Sequence, residues 1–236
     1  MNRLHLFILL FAASSLLFQF PPGAFAVNDI SATDSATDGE NGFTELDGAF
    51  GVDTFTIGSS TYAIVASEDD NGIQIIDISD PNNIVATDAE TDEENGFDVF
   101  DGAADVDTFV IGSSTYAIVA AYEYGGVQII DISDPENIVA KVSVNDDDED
   151  ENGDDLEVLD GAIGVDTFVI DSSTYAIVAA YSDNGVQVID ISDPTKIYTA
   201  DATLDGENGF TYLSQATAVD EFQIGSRTKA LVPRRR

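Results

Sequence analysis

The sequence predicts an all-β fold, a β-propeller of four-stranded antiparallel blades, and three observations carry that expectation. The string GVDTFTIGSSTYAIVA from Gly51 returns from Asp105 and Gly164 and, decayed, from Ala218. A second string, GIQIIDISDP from Gly72, recurs twice in the same relation to the first. Nothing shows a helical period, and no connection is long enough for a crossover helix.

The Val-Asp pairs at positions 52, 106, 165 and 219 are spaced by 54, 59 and 54 residues. All of the extra length falls in one acidic segment, Asn145 to Leu156. Constant spacing marks paired strands, and varying spacing marks a surface loop. The repeats run over about 43–96, 97–152 and 153–209, with a partial copy at 210–236.

Each repeat reads as four strands. The first, Val52 to Ile57, closes at Gly58-Ser59-Ser60. The second, Tyr62 to Ala66, is apolar without alternation, as a strand covered on both faces should be. It ends at Asn71-Gly72, Gly125-Gly126 or Asn184-Gly185, dipeptides that tolerate the positive φ of a tight hairpin. The third, Ile73 to Ile78, closes at Ser79-Asp80-Pro81, where proline presets φ. The fourth starts at Ile84 and fades into acidic sequence.

The termini bear on closure of the ring. Ile30 to Phe43 aligns with Ile84 to Phe97, so the chain begins with a fourth strand and ends with a first and a second. Joined, these make a blade that lacks its third strand. The closing Pro233-Arg234-Arg235-Arg236 departs from the repeat, and the expectation is a fragment of a larger propeller.

Ahead of the repeats, residues 1–26 read as a signal peptide. Arg3 supplies the positive start, Leu4 to Phe20 the apolar run, and Ala24-Phe25-Ala26 the cleavage pattern. The expectation is a secreted or cell-surface protein cleaved near Ala26, with no transmembrane segment in the mature chain. That chain holds no Cys, no Trp and no His, since the only histidine is His5. A Ser-His-Asp triad, a cysteine nucleophile and a His/Cys zinc site are therefore excluded. The net charge of −37 excludes nucleic acid as a partner, because it repels phosphate.

At Ile73-Gln74-Ile75-Ile76-Asp77, Val127-Gln128-Ile129-Ile130-Asp131 and Val186-Gln187-Val188-Ile189-Asp190 the chain resembles the LVIVD-repeat family of archaeal and bacterial surface proteins. The following Ile-Ser-Asp-Pro and the preceding Tyr-Ala-Ile-Val-Ala are similar to the family pattern as well. The resemblance implies a propeller and a surface location, and it brings no general catalytic residues. Gln at the second motif position, the lengthened acidic loop and a fourth copy without the motif depart from that pattern.

Three candidate sites follow from the residues. Asp148-Glu149-Asp150-Glu151-Asn152-Gly153 fits the opening of a calcium loop, with Asp148, Asp150 and Asn152 as oxygen ligands. Leu159 stands where that loop wants its last carboxylate, and a solvated acidic loop is the plainer reading. Shorter relatives start at Asp38, Asp92 and Asp205. Second, Asp53, Asp107, Asp166 and Asp220 on the innermost strands suit either a cation-holding ring or backbone acceptors within their own blades. Asp77, Asp131 and Asp190 follow the same logic. Third, Tyr122-Glu123-Tyr124 breaks the repeat at a hairpin tip, where aromatics suit a sugar or a protein partner. A non-enzymatic binding scaffold is the leading expectation, with calcium as candidate cofactor. A carboxylate-dependent glycan hydrolase is the alternative.

Overall fold

The apolar runs and turns fold into successive hairpins. In the first repeat these are β1 (Ala49–Ile57), β2 (Ser60–Ser67), β3 (Gly72–Asp77) and β4 (Val85–Thr91), hydrogen-bonded in that order. The second repeat supplies β5 (Ala103–Ile111), β6 (Ser114–Ala121), β7 (Gly126–Asp131) and β8 (Val139–Asn145). The third supplies β9 (Ala162–Ile170), β10 (Ser173–Ala180), β11 (Gly185–Asp190) and β12 (Tyr198–Leu204), and β13 (Asp220–Ile224) with β14 (Arg227–Leu231) makes a two-stranded fourth sheet. These antiparallel sheets are blades of a β-propeller. This computed structural model describes residues 32–150, 152–224 and 227–233. The leader expected over 1–26, Glu151 and Arg234 to Arg236 lie outside the described residues.

Local chemistry explains the turns. Asn71 and Asn184 sit at φ +54° and +58°, and Gly125 takes their place at +68°. Asparagine and glycine tolerate this left-handed conformation best. At the other hairpin, Asp77 Oδ1 accepts the Ser79 N–H at 2.8 Å, and Ser79 Oγ accepts the Thr61 N–H at 3.0 Å. Asp131 with Ser133 and Asp190 with Ser192 repeat the arrangement. The aspartates at the ends of the third strands thus pin the Ser-Asp-Pro turn of their own blade.

The central strands are the second and third of each blade. Ile64 pairs with Ile75, Ile118 with Ile129, and Ile177 with Val188. Apolar on both faces, they build cores between blades. One joins Phe55, Ile64 and Ile75 to Phe100, Val106 and Ile130; the next joins Phe109, Ile118 and Ile129 to Leu159, Val165 and Ile189. A third sets Ile177 and Val186 against Leu213, Ala216 and Val219. Stacked cross-strand pairs, Phe55–Tyr62, Phe109–Tyr116 and Phe168–Tyr175, lie at 5.4 to 5.6 Å between centroids. First strands of successive blades lie against one another, so close that a Cβ on Gly51 would stand 2.6 Å from Asp105 Cα.

Candidate binding site and the carboxylates between blades

The inner-strand aspartates reach across blades. Asp53 Oδ2 accepts the N–H of Thr108 at 2.9 Å and its hydroxyl at 2.5 Å. Asp107 Oδ2 accepts the Thr167 N–H at 2.8 Å, and Asp166 Oδ2 accepts the N–H of Glu221. This corrects the expectation that each serves its own blade: the first strand is an edge, so its outward N–H groups pair with the neighbouring blade's carboxylate. Asp105 adds a further bond, from the Val165 N–H at 3.0 Å. Burial and the neighbouring charges of Asp53 and Asp166 push Asp107 up to about 6. Burial also raises Asp105 and Asp166. Among the described residues no three acidic side chains are arranged to hold a metal ion.

Outer aspartates bridge blades in the same way. Asp34 Oδ2 accepts the Ile84 N–H at 2.8 Å, and Asp88 Oδ2 accepts the Ile138 N–H at 2.9 Å. In the second blade the equivalent position is Val142, which cannot accept. The acidic insertion supplies the substitute. Asp150 Oδ2 accepts the Thr199 N–H at 2.9 Å, while its Oδ1 accepts those of Asn152 and Asp154 at 2.7 and 3.1 Å. Burial alone would raise Asp150, but the N–H groups of Asp154, Thr199 and Asn152 together hold it below the usual carboxylate range. Asp148 Oδ2 accepts the Asn145 N–H at 2.9 Å, and Asn152 is exposed.

The shorter acidic segments share a different device. Asp38, Asp92 and Asp205 accept the N–H groups of Leu46, Phe100 and Leu213, and in the lengthened copy Asp146 does so for Leu159. The lengthened loop therefore aligns with its relatives at Asp146, ahead of Asp148. Two of the three motif glutamines, Gln74 and Gln128, are buried amide clamps. Gln74 accepts from Thr44 N–H and donates to Asp88 O, and Gln128 accepts from Asp98 N–H and donates to Gly96 O.

One concavity draws on three blades. Phe50, Ala104 and Ile163 begin the inner strands, and Glu68, Tyr122 and Tyr181 begin the turns after the second strands. Together they line a depression of about 290 Å³, in which Tyr122 and Tyr181 meet edge to face at 5.9 Å. Of the hairpin residues singled out from the sequence, Tyr122 lines this depression. Glu123 and Tyr124 do not: Glu123 packs beside Gly102, and Tyr124 leans toward Gly126. Sequence reasoning missed Phe50, Glu68 and Tyr181. Their signal was variation among otherwise constant copies, Phe against Ala and Ile at one position and Glu against Tyr at another. A larger cavity, about 480 Å³, lies between the third blade and β14, where complete blades have their outer strands.

The LVIVD repeat family model matches residues 59–87, 110–146 and 172–200, once in each complete blade. Among curated proteins none matches. The fold is similar to that of the GH43 protein BlXynB from Bacillus licheniformis: its K247S mutant has 12% identity and a TM-score of 0.51 over 78% of this chain and 36% of that one. A bifunctional GH43-CE protein from Bacteroides eggerthii gives 10% and 0.50 over 79% and 24%. This chain thus spans about a third or less of those proteins, and at such identity the likeness is one of fold.

Proposed function

We propose that this protein, whose three complete blades carry LVIVD repeats, is an exported, non-enzymatic binding scaffold at the cell surface or in secreted form. The depression of Phe50, Tyr122 and Tyr181 beside Glu68 carries this reading, because it joins three blades and breaks their symmetry with aromatic rings. Such rings stack on the apolar faces of sugars while a carboxylate accepts hydroxyl donors, so an uncharged oligosaccharide is the fitting ligand class. The chain's negative charge works against anionic ones. Without tryptophan, intrinsic fluorescence comes from eight tyrosines, and Tyr122 and Tyr181 are the two that line this site. Titration with uncharged oligosaccharides should give a ligand whose affinity drops at least about tenfold in Tyr122→Ala and Tyr181→Ala, a loss of about 1.4 kcal/mol. Tyr124→Ala, outside the depression, should bind normally. A panel without any binder, or equal loss in all three variants, overturns the assignment.

Glycan hydrolysis remains a second reading, supported by one observation. Asp107, which burial pushes up to about 6, stands near Asp53 and Asp166, and glycosidic cleavage needs a raised carboxyl as acid beside a second carboxylate. Turnover of a glycosidase substrate that disappears in Asp107→Asn would replace the scaffold by the hydrolase. Calcium enters the proposal as a counter-ion at Asp148, Asp150 and Asn152. It is tested by melting in chelator and in millimolar calcium at matched ionic strength. Equal midpoints remove it.

A further inference from the structure

Three residues of the depression open the hairpin tips of successive blades, and their backbones are tied down alike. The N–H groups of Glu68, Tyr122 and Tyr181 donate to the carbonyls of Gly48, Gly102 and Gly161 at 3.0, 2.8 and 2.9 Å. Those glycines sit at φ +69°, +71° and +70°. The fourth copy puts Gln215 in their place, followed like them by alanine, and Gln215 keeps the left-handed conformation at φ +56°. A backbone bond fixes the equivalence: Asn71 Oδ1 accepts the Gly102 N–H, and Asn184 Oδ1 accepts the Gln215 N–H.

A glutamine is disfavoured there, since its Cβ crowds the backbone at positive φ. Backbone strain of this kind is kept where function uses it. The side chain shows the use: Gln215 Nε2 donates to the Tyr181 hydroxyl at 2.8 Å, across the blade boundary. Gly102 and Gly161, in the same relation to Glu68 and Tyr122, have no side chain to offer. An amide nitrogen only donates, so the Tyr181 oxygen accepts and its own hydrogen is left for a ligand. The Glu68 carboxylate of the same depression only accepts. Given the depression as the binding site, on which this inference rests, we propose that Gln215 is its positioning residue. It holds the Tyr181 ring and makes the hydroxyl a donor toward a sugar oxygen. Tyr122, edge to face with Tyr181 at 5.9 Å, is braced by the same bond.

Fluorine NMR of the protein carrying 3-fluorotyrosine at its eight tyrosines tests this without a ligand, with Tyr181→Phe identifying the Tyr181 resonance. That resonance should move in both Gln215→Gly and Gln215→Ala, while those of Tyr62 and Tyr116 stay. The melting temperature of Gln215→Gly should equal or exceed the parent's, because glycine relieves the left-handed conformation. That of Gln215→Ala should lie below it, because alanine does not. Calorimetric titration with cellohexaose, maltohexaose and mannohexaose should show binding about fivefold weaker in both variants, the loss of one hydrogen bond. Affinity then follows the amide and not the stability. An unmoved Tyr181 resonance, or the parent's affinity kept in both variants, overturns the proposal. A parent that binds none of the three sugars, with a Tyr181 resonance that moves as expected, upholds the hold on Tyr181 and removes the ligand reading instead.

Discussion

At the hairpin tips, Asn71 Oδ1 accepts the Gly102 N–H of the next blade at 2.9 Å, and Asn184 Oδ1 accepts the Gln215 N–H at 3.0 Å. Gly125 occupies the same tip in the second blade without an amide to offer. A Cβ there would stand 3.3 Å from Asp160 Cα and 3.7 Å from Gly161 N. Gly125→Asn should therefore add the missing bond and restrict the unfolded chain, stabilising by about 1 kcal/mol. A melting temperature about 2–4 °C higher would register it. A lower one would mean that the close approach to Asp160 cannot relax. The opposite exchange applies at Asp171, which holds φ +59° where Gly58 and Gly112 hold +64° and +65°. Asp171→Gly should stabilise by up to about 1 kcal/mol, because a side chain is strained in that conformation. Thermal or urea melts of the single variant check the sign. Residues of this kind were legible in the sequence as Asn-Gly and Gly-Ser-Ser turns. Their partners were not, because the bonds run to another blade.

The strands and their order were legible because every copy repeats the same apolar runs and turn residues, and covered sheets leave no alternation to misread. The acidic loop was legible only as an insertion. Its role depends on Val142, one apolar residue where Asp88 bridges the preceding pair of blades, and on the reach of Asp150 to Thr199. A ligand motif and a backbone clasp use the same oxygen-rich sequence, and only the fold decides which N–H groups stand opposite. Asp150 is 7% exposed and accepts three backbone N–H groups. Asp150→Ala should leave those donors unpaired and destabilise by about 2–4 kcal/mol. Asp148→Ala, which frees one exposed N–H, should cost less than about 1 kcal/mol. Equal losses in the two variants would sink the clasp.

Across the whole molecule the carboxylates divide by the direction of their shifts. Glu45 is pushed up to about 7, first by burial and then by Asp70. Asp107 and Asp183 are pushed up to about 6, both mainly by burial. The native state holds these protons more tightly than the unfolded chain does. Stability they confer is therefore fully present below about pH 4 and is lost as pH rises through 6 to 7. Asp131 and Asp150 are lowered and act oppositely, since their protonation weakens a turn and the clasp once the pH falls below their usual range. The two groups together place the stability maximum near about pH 5. For the largely buried Asp107, a rise to about 6 corresponds to about 3 kcal/mol, while the more exposed Glu45 and Asp183 add less through solvent screening. Moving from pH 8 to pH 5 at high salt should raise the melting temperature by about 5–10 °C. In Asp107→Asn the amide oxygen still accepts the Thr167 N–H, but the site no longer titrates, so the rise should shrink. A parent whose melting temperature falls between pH 8 and pH 5 would show that the carboxylates between the blades are as well solvated folded as unfolded.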